Sequence, residues 1–183
     1  SNFDKIEDLK LSKVMISPDT RIGFWRFLKV RFQFDDSQIA PYTFNLAPFL
    51  ANKDAVQQGY LTSEPYLIKR SGIEPKVFLL ADSGYSSYAG IIQTRNELIN
   101  EKPELIQRFI NASILGWYSF LYDDPNPAFK IILKNNPDMT VNLLENAHKL
   151  IKSRGLVDSE DAKVSGIGIM THNKWKRFFK TMV

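Results

Sequence analysis

Short apolar runs and helical stripes alternate along the first 80 residues. The runs at residues 13–17, 42–45 and 55–61 predict β-strands, because they are rich in β-branched and aromatic side chains. Between them, Ile22, Trp25 and Leu28 fall on one face of a predicted helix, and a second helix is predicted to start at Glu64. Strands that alternate with helices pair in parallel, so this part predicts an α/β fold.

From about residue 80 the pattern becomes mainly helical. Residues 76–81 and 89–93 predict two more strands, and a long helix is predicted from Pro103. Further helices are predicted from Asn126, Thr140 and Thr171. The stripe expected to be buried on the long helix is Ile106, Phe109, Ile110, Ile114, Trp117 and Leu121. A helix-rich tail cannot complete a sheet alone, so we expect its partner strands to come from sequence outside this chain.

Composition narrows the class of protein. The 183 residues are 44% hydrophobic and 24% charged, which is typical of a globular protein, and no apolar run is long enough to span a membrane. The first residues show no signal-peptide pattern. The chain has no cysteine, which excludes disulfides, thiolate metal sites and cysteine nucleophiles.

Charged and nucleophilic residues give no sign of catalysis, of a metal site or of a nucleic-acid partner. The basic run Lys174, Lys176, Arg177 and Lys180 lacks a base-stacking motif, so we interpret it as a solvated helix face. The two histidines have no second ligand at metal-binding spacing. Phosphate-binding glycine motifs and a nucleophile elbow are also absent from the sequence. We therefore expect no catalytic residue, no metal and no cofactor.

Four segments of the chain resemble one family. Residues 54–65, DAVQQGYLTSEP, are similar to its D-A-hydrophobic…E-P stretch. Asp8-Leu9-Lys10 before Lys13 resembles its D-L-K-G-K entry to the second lobe, without the glycine. Residues 102–109 resemble its K-P-E-hydrophobic helix, and residues 164–171 its closing segment. The family comprises the substrate-binding proteins of ABC importers for nitrate, sulfonate, taurine and thiamine-pyrimidine precursors.

The resemblance implies a periplasmic-binding-protein type II-like α/β fold. Residues 9–78 would form one βαβ lobe, and residues 79–183 the helix-rich C-terminal portion of the other. The family's N-terminal half-lobe has no counterpart here. The implied function is capture of a small solute in an interlobe cleft, without catalysis, in the periplasm or another extracytoplasmic space. The implied partners are a small-molecule ligand and an ABC permease.

Candidate binding residues follow the first and third predicted strands, since ligands of parallel sheets lie beyond the strands' carboxyl ends. They are Ser17, Asp19 and Thr20 in the first loop, and Thr62, Ser63 and Glu64 in the second. Free N–H groups at a helix start favour an anion or a polar oxygen. Helix capping is the alternative role, and for the second loop the family match favours a binding role.

The loop at residues 82–88 is expected to run along the cleft at the hinge. Gly84 would permit the bend, and Tyr85 would stack on a planar ligand. Asp19, Glu64 and Asp82 share the region with several tyrosines, Tyr60 among them. That mixture favours an aminopyrimidine-like thiamine precursor over a sulfonate- or nitrate-type anion, and leaves the ligand's identity open.

Two other functions were weighed. Fungal thiamine-pyrimidine synthases share the fold but carry a cysteine-rich motif, which this chain lacks. The remaining alternative is a truncated homologue that acts as an interaction or dimerisation module. In that case we expect a homodimer, with its interface on the second part of the chain rather than on residues 9–78.

The absence of a catalytic motif leads to a first prediction. We expect the protein to bind its ligand and release it chemically unchanged. Mass spectrometry of candidate ligands after long incubation should find no product that depends on the protein. A product formed in proportion to protein concentration would contradict this.

Overall fold

A computed structural model describes residues 3–183. The chain folds as two compact units, one formed by residues up to Ser87 together with His172–Val183, and the other by Tyr88–Thr171. These bounds differ from the two lobes expected at residues 9–78 and 79–183, and that lobe assignment stays a prediction.

The first unit combines short strands and helices. Its strands are β1 (Val14–Ile16), β2 (Ile39–Pro41) and β3 (Val56–Gln57). Its α-helices are α1 (Phe24–Phe32), α2 (Ala47–Leu50), α3 (Glu64–Arg70) and, from the end of the chain, α9 (His172–Met182). Short 3₁₀ helices lie at Ile6–Leu11, Pro18–Arg21, Asp36–Gln38 and Leu80–Ser83.

The three strands form a parallel sheet in the order β2-β1-β3. Val14 pairs with Ile39 on one side and with Val56 on the other, so β1 is hydrogen-bonded along both edges. Parallel pairing brings the carboxyl ends of all three strands to one edge of the sheet. The α/β fold class of a type II periplasmic-binding-protein-like protein is thus confirmed.

One face of the sheet packs against α1 to form the core of the first unit. Ile16, Trp25 and Phe27 each expose only 1% of their surface. The Trp25 indole N–H donates to Asp36 Oδ1 at 2.9 Å, and Lys29 Nζ lies 2.7 Å from Asp36 Oδ2. These hydrogen bonds, the one from Lys29 first, hold the pKa of Asp36 below its usual range. Trp25 therefore buries its ring without leaving its N–H unsatisfied.

Helix α9 belongs to the first unit through α1 and the loop before Ser87. The Arg26 Nε–H donates to the Met182 carbonyl oxygen at 3.1 Å. The Phe178 ring packs edge-on against Tyr85, with ring centroids 5.4 Å apart.

The second unit is helical. Its helices are α4 (Asn96–Glu101), α5 (Pro103–Tyr122), α6 (Asn126–Asn135), α7 (Val141–Arg154) and α8 (Asp161–Ser165). Their small core comprises Leu121, Phe129, Leu143, Leu144 and Ile167. The predicted cap at Thr140 is confirmed, since its hydroxyl accepts from the Leu143 N–H at 3.3 Å. Gly155 ends α7 with φ +58°, a conformation that favours glycine.

Several strand predictions were wrong. The second strand lies at Ile39–Pro41 rather than at 42–45, and the third is limited to Val56–Gln57. Residues 76–81 and 89–93 form no strand. A strand needs a hydrogen-bonded neighbour, and nothing in residues 3–183 pairs with these two runs.

The buried stripe predicted on α5 was wrong in part. Leu121 is buried as expected, but Phe109 and Trp117 are exposed. Periodicity identifies the apolar side of a helix, whereas burial also requires a second element to cover it. In the described part of the chain, no helix is both long and apolar enough to span a membrane.

The α1 core supplies a stability prediction. Replacing Phe27 by alanine should lower the free energy of unfolding by about 3–5 kcal/mol, because the cavity stays lined by packed neighbours. Leu11→Ala is the matched control, since Leu11 is 97% exposed, and should change stability by about 0.5 kcal/mol or less. Denaturant unfolding of both variants measures the difference, and equal effects would contradict this description of the core.

Candidate functional site

The candidate site is the carboxyl edge of the sheet. Ser17, Tyr42 and Gln58 are the first residues after β1, β2 and β3. The sheet continues into them through backbone hydrogen bonds: the Tyr42 N–H donates to the Ile16 carbonyl oxygen at 3.3 Å, and the Gln58 N–H to that of Met15 at 2.9 Å. Three polar side chains are thereby brought side by side. We call this set, with Thr20, Tyr60 and Glu64, the carboxyl edge.

A first hydrogen-bond network joins Ser17, Thr20 and Gln58. The Ser17 backbone N–H donates to Gln58 Oε1 at 2.8 Å, and Gln58 Nε2 donates to Ser17 Oγ at 3.1 Å. The Thr20 hydroxyl lies 3.0 Å from Gln58 Oε1 and 2.8 Å from the Ser17 carbonyl oxygen. Ser17 is almost completely buried, so these partners satisfy polar groups that water cannot reach.

A second network is centred on Glu64, the first residue of α3. Tyr42 donates its phenol O–H to Glu64 Oε1 at 3.1 Å, and the Tyr60 backbone N–H donates to Glu64 Oε2 at 2.7 Å. A Cβ on Gly59 would lie 3.1 Å from Glu64 Cβ, so a larger residue there would push Glu64 away. Gly59 therefore permits the close turn that brings the carboxylate under the Tyr60 amide.

The pair Tyr42–Glu64 perturbs the tyrosine strongly. Burial, the negative charge of Glu64 and the hydrogen bond to it raise the pKa of Tyr42 to about 12. The phenol thus remains a hydrogen-bond donor across the neutral range. A carboxylate oxygen offers two lone pairs, so Glu64 can accept further donors besides Tyr42 and Tyr60.

The other residues predicted in these two loops lie close to the networks in sequence but make fewer contacts. Asp19 is exposed within the 3₁₀ helix Pro18–Arg21. Thr62 and Ser63 are half-buried in the turn before α3. The Tyr60 side chain is 74% exposed, so its ring is accessible at this edge.

The residues predicted in the 82–88 loop lie elsewhere in the first unit. Asp82 lines a cavity of about 440 Å³ together with Lys5 and Arg31. Gly84 adopts φ +98° at the end of a 3₁₀ helix, the bend for which a glycine was expected. The stacking role expected for Tyr85 stays a prediction.

The surroundings of Tyr85 are mainly aromatic. Its ring packs against Phe27 and Phe178, with centroids 5.2 and 5.4 Å away. Burial raises its pKa. Its hydroxyl oxygen lies 3.5 Å from where a Cβ on Gly23 would stand, and the Thr20 carbonyl oxygen is 3.6 Å from the same point. The hydroxyl end of Tyr85 therefore reaches the loop that follows β1.

Sequence analysis missed Tyr42 and Gln58. The rule that located Ser17 also applies to them, because each follows a strand directly. They were overlooked because the second strand was predicted to begin at residue 42 and the third to continue to residue 61. The described residues contain no group of three or more histidine, cysteine, aspartate or glutamate side chains that could hold a metal ion.

Comparison with known proteins identifies the class. The family model described as NMT1/THI5 like matches residues 2–128, which is well over half of the chain. The chain therefore belongs to the NMT1/THI5-like family, the family of nitrate, sulfonate and thiamine-precursor periplasmic binding proteins. The resemblance noted in the sequence is thus confirmed.

A curated relative is the riboflavin-binding protein RibY of Chloroflexus aurantiacus. It is 28% identical over 132 residues, which cover 72% of this chain. The match spans only 37% of the relative's length. No solved structure matches the chain significantly.

The raised pKa of Tyr42 predicts a specific alkaline transition. Its folded-state pKa of about 12 exceeds the ordinary value of 10, so its contribution to stability is complete below pH 10 and is lost as the pH rises through 12. Ultraviolet titration of tyrosine ionisation should show a late component near pH 12 that Tyr42→Phe removes. Glu64→Gln should shift this component to lower pH, because it removes the neighbouring charge. An unchanged late component in Tyr42→Phe would assign it to another tyrosine.

Proposed function

We propose that this chain is part of the substrate-binding protein of an ABC importer, and that it captures a small planar heterocycle at the carboxyl edge without catalysis. The observation that carries the proposal is the Glu64 carboxylate, held between the Tyr42 hydroxyl and the Tyr60 amide beside an accessible tyrosine ring. Ligands in parallel α/β sheets bind at this edge.

The chemistry of the edge supports a ligand that donates hydrogen bonds. The two loops at residues 17–20 and 58–64 carry the acidic residues Asp19 and Glu64 and no basic residue. An amino or imino group would gain a charge-assisted hydrogen bond from Glu64. A nitrate or sulfonate would meet negative charge instead, so the anion is the less favoured alternative.

The exposed Tyr60 ring supports a planar ligand, since flat ring systems stack on aromatic faces. The curated relative is a riboflavin-binding protein, and flavins are planar heterocycles with an N–H donor. An aminopyrimidine of the thiamine-precursor type has the same two properties. Both are therefore candidate ligands, and the flavin is the first to test.

The partner and the cellular location in this proposal rest on family membership. Proteins of this family deliver a solute to a permease from outside the cytoplasm, so we propose an ABC permease as the partner and an extracytoplasmic location. The second candidate function, an interaction module, is supported by the exposed apolar side chains of α5.

The role of Glu64 can be tested directly. We expect Glu64→Gln to weaken binding of riboflavin or an aminopyrimidine by about 1.5–3 kcal/mol, the range for a hydrogen bond to a charged group. Isothermal titration calorimetry on the intact protein measures this loss. Glu97→Gln is the control, because Glu97 is an exposed carboxylate on α4, and should leave the affinity unchanged.

The same series tests the stacked tyrosine. Tyr60→Phe should retain binding and Tyr60→Ala should weaken it, since the ring and not the hydroxyl makes the contact. Thermal unfolding of each variant separates a loss of binding from a loss of folding. If Glu64→Gln is folded and binds with unchanged affinity, Glu64 does not belong to the site.

A further inference from the structure

A continuous seam of apolar and small side chains runs along α5. Its members are spaced alternately by four and three residues: Leu105, Phe109, Ala112, Gly116 and Ser119. This is the spacing with which two helices pack along a shared seam. All five residues are exposed. Nothing in residues 3–183 therefore covers the seam, although it has the pattern of a helix–helix contact.

Gly116 has no packing explanation within the chain. Glycine destabilises a helix interior relative to alanine, so its presence there usually reflects a close approach by another element. A Cβ placed on Gly116 would meet no heavy atom within 4 Å among the described residues. Two turns earlier, Phe109 is 59% exposed. The seam thus carries an open notch at one point and a projecting ring at another.

We propose that this seam pairs with the same seam of a second copy of the chain, with the two α5 helices antiparallel about a two-fold axis near Ala112. In this arrangement Phe109 of one copy lies opposite Gly116 of the partner subunit, and the symmetry repeats the contact. The ring fills the space over the glycine as a knob fills a hole. The seam is self-complementary in a way that a parallel pairing would not be.

The exposed surface is large enough for such an interface. The chain exposes 12877 Å², and its mass is 21.1 kDa. Two separate compact domains of half this mass would together expose about 11,000 Å². The difference exceeds the roughly 800 Å² that each partner contributes to a standard interface. Exposed apolar neighbours of the seam, such as Leu115 and Tyr122, can extend the contact.

The proposal is independent of the ligand, because no seam residue belongs to the carboxyl edge. It is suited to disulfide trapping, since the chain contains no cysteine. Phe109→Cys and Gly116→Cys, mixed and oxidised, should form a covalent dimer that joins one chain of each variant. Two positions seven residues apart on one helix are too distant for a disulfide within a chain. Ile131→Cys, exposed on α6 and outside the seam, is the control and should not cross-link above background.

Light scattering of the unmodified chain completes the test, with an expected mass twice that of one chain. Gly116→Leu should reduce the mass to that of one chain while keeping the protein folded, because leucine favours the helix and has space within the chain. Ile131→Glu should remain a dimer. A monomeric unmodified chain would overturn the proposal, as would equal trapping at Ile131 or a dimeric Gly116→Leu variant.

Discussion

The first unit depends on the pairing of one short strand, β1, along both of its edges. Its register with β2 and β3 sets which residues leave the sheet together, and so places Ser17, Tyr42 and Gln58 side by side. The same register directs Val14 and Ile16 into the core against Trp25 and Phe27. A slip by one residue would exchange the faces of the strand, so the apolar core and the polar edge are specified together.

The polar edge shows how a fold and a candidate site share the same interactions. Ser17 is buried, and its hydroxyl and amide are satisfied through Gln58, a residue 41 positions away. Glu64 closes the turn before α3 by accepting from the Tyr60 amide, and it also accepts from Tyr42. Because each group already has a protein partner, the edge is organised before any ligand arrives, which lowers the entropic cost of binding.

The second unit follows different physics. Its helices are set by local signals, namely a proline at the start of α5, the Thr140 cap and the left-handed Gly155. Its core is small, and much of the apolar side of α5 is left uncovered. Local signals suffice to form helices of this length once they pack, but they do not determine which surface covers an apolar seam. That difference explains why the first unit presents a polar site and the second an apolar surface.

The sequence by itself determined the α/β class, the family, most helices and the loops that hold Ser17, Thr20 and Glu64. These follow from periodicity, capping residues and motif order, which are local properties. The tertiary structure alone decided where the strands end, and therefore that Tyr42 and Gln58 join the edge. It also decided that residues 76–81 form no strand and that Phe109 is exposed. Strand formation and burial both require a second element, and no local pattern shows whether one is present.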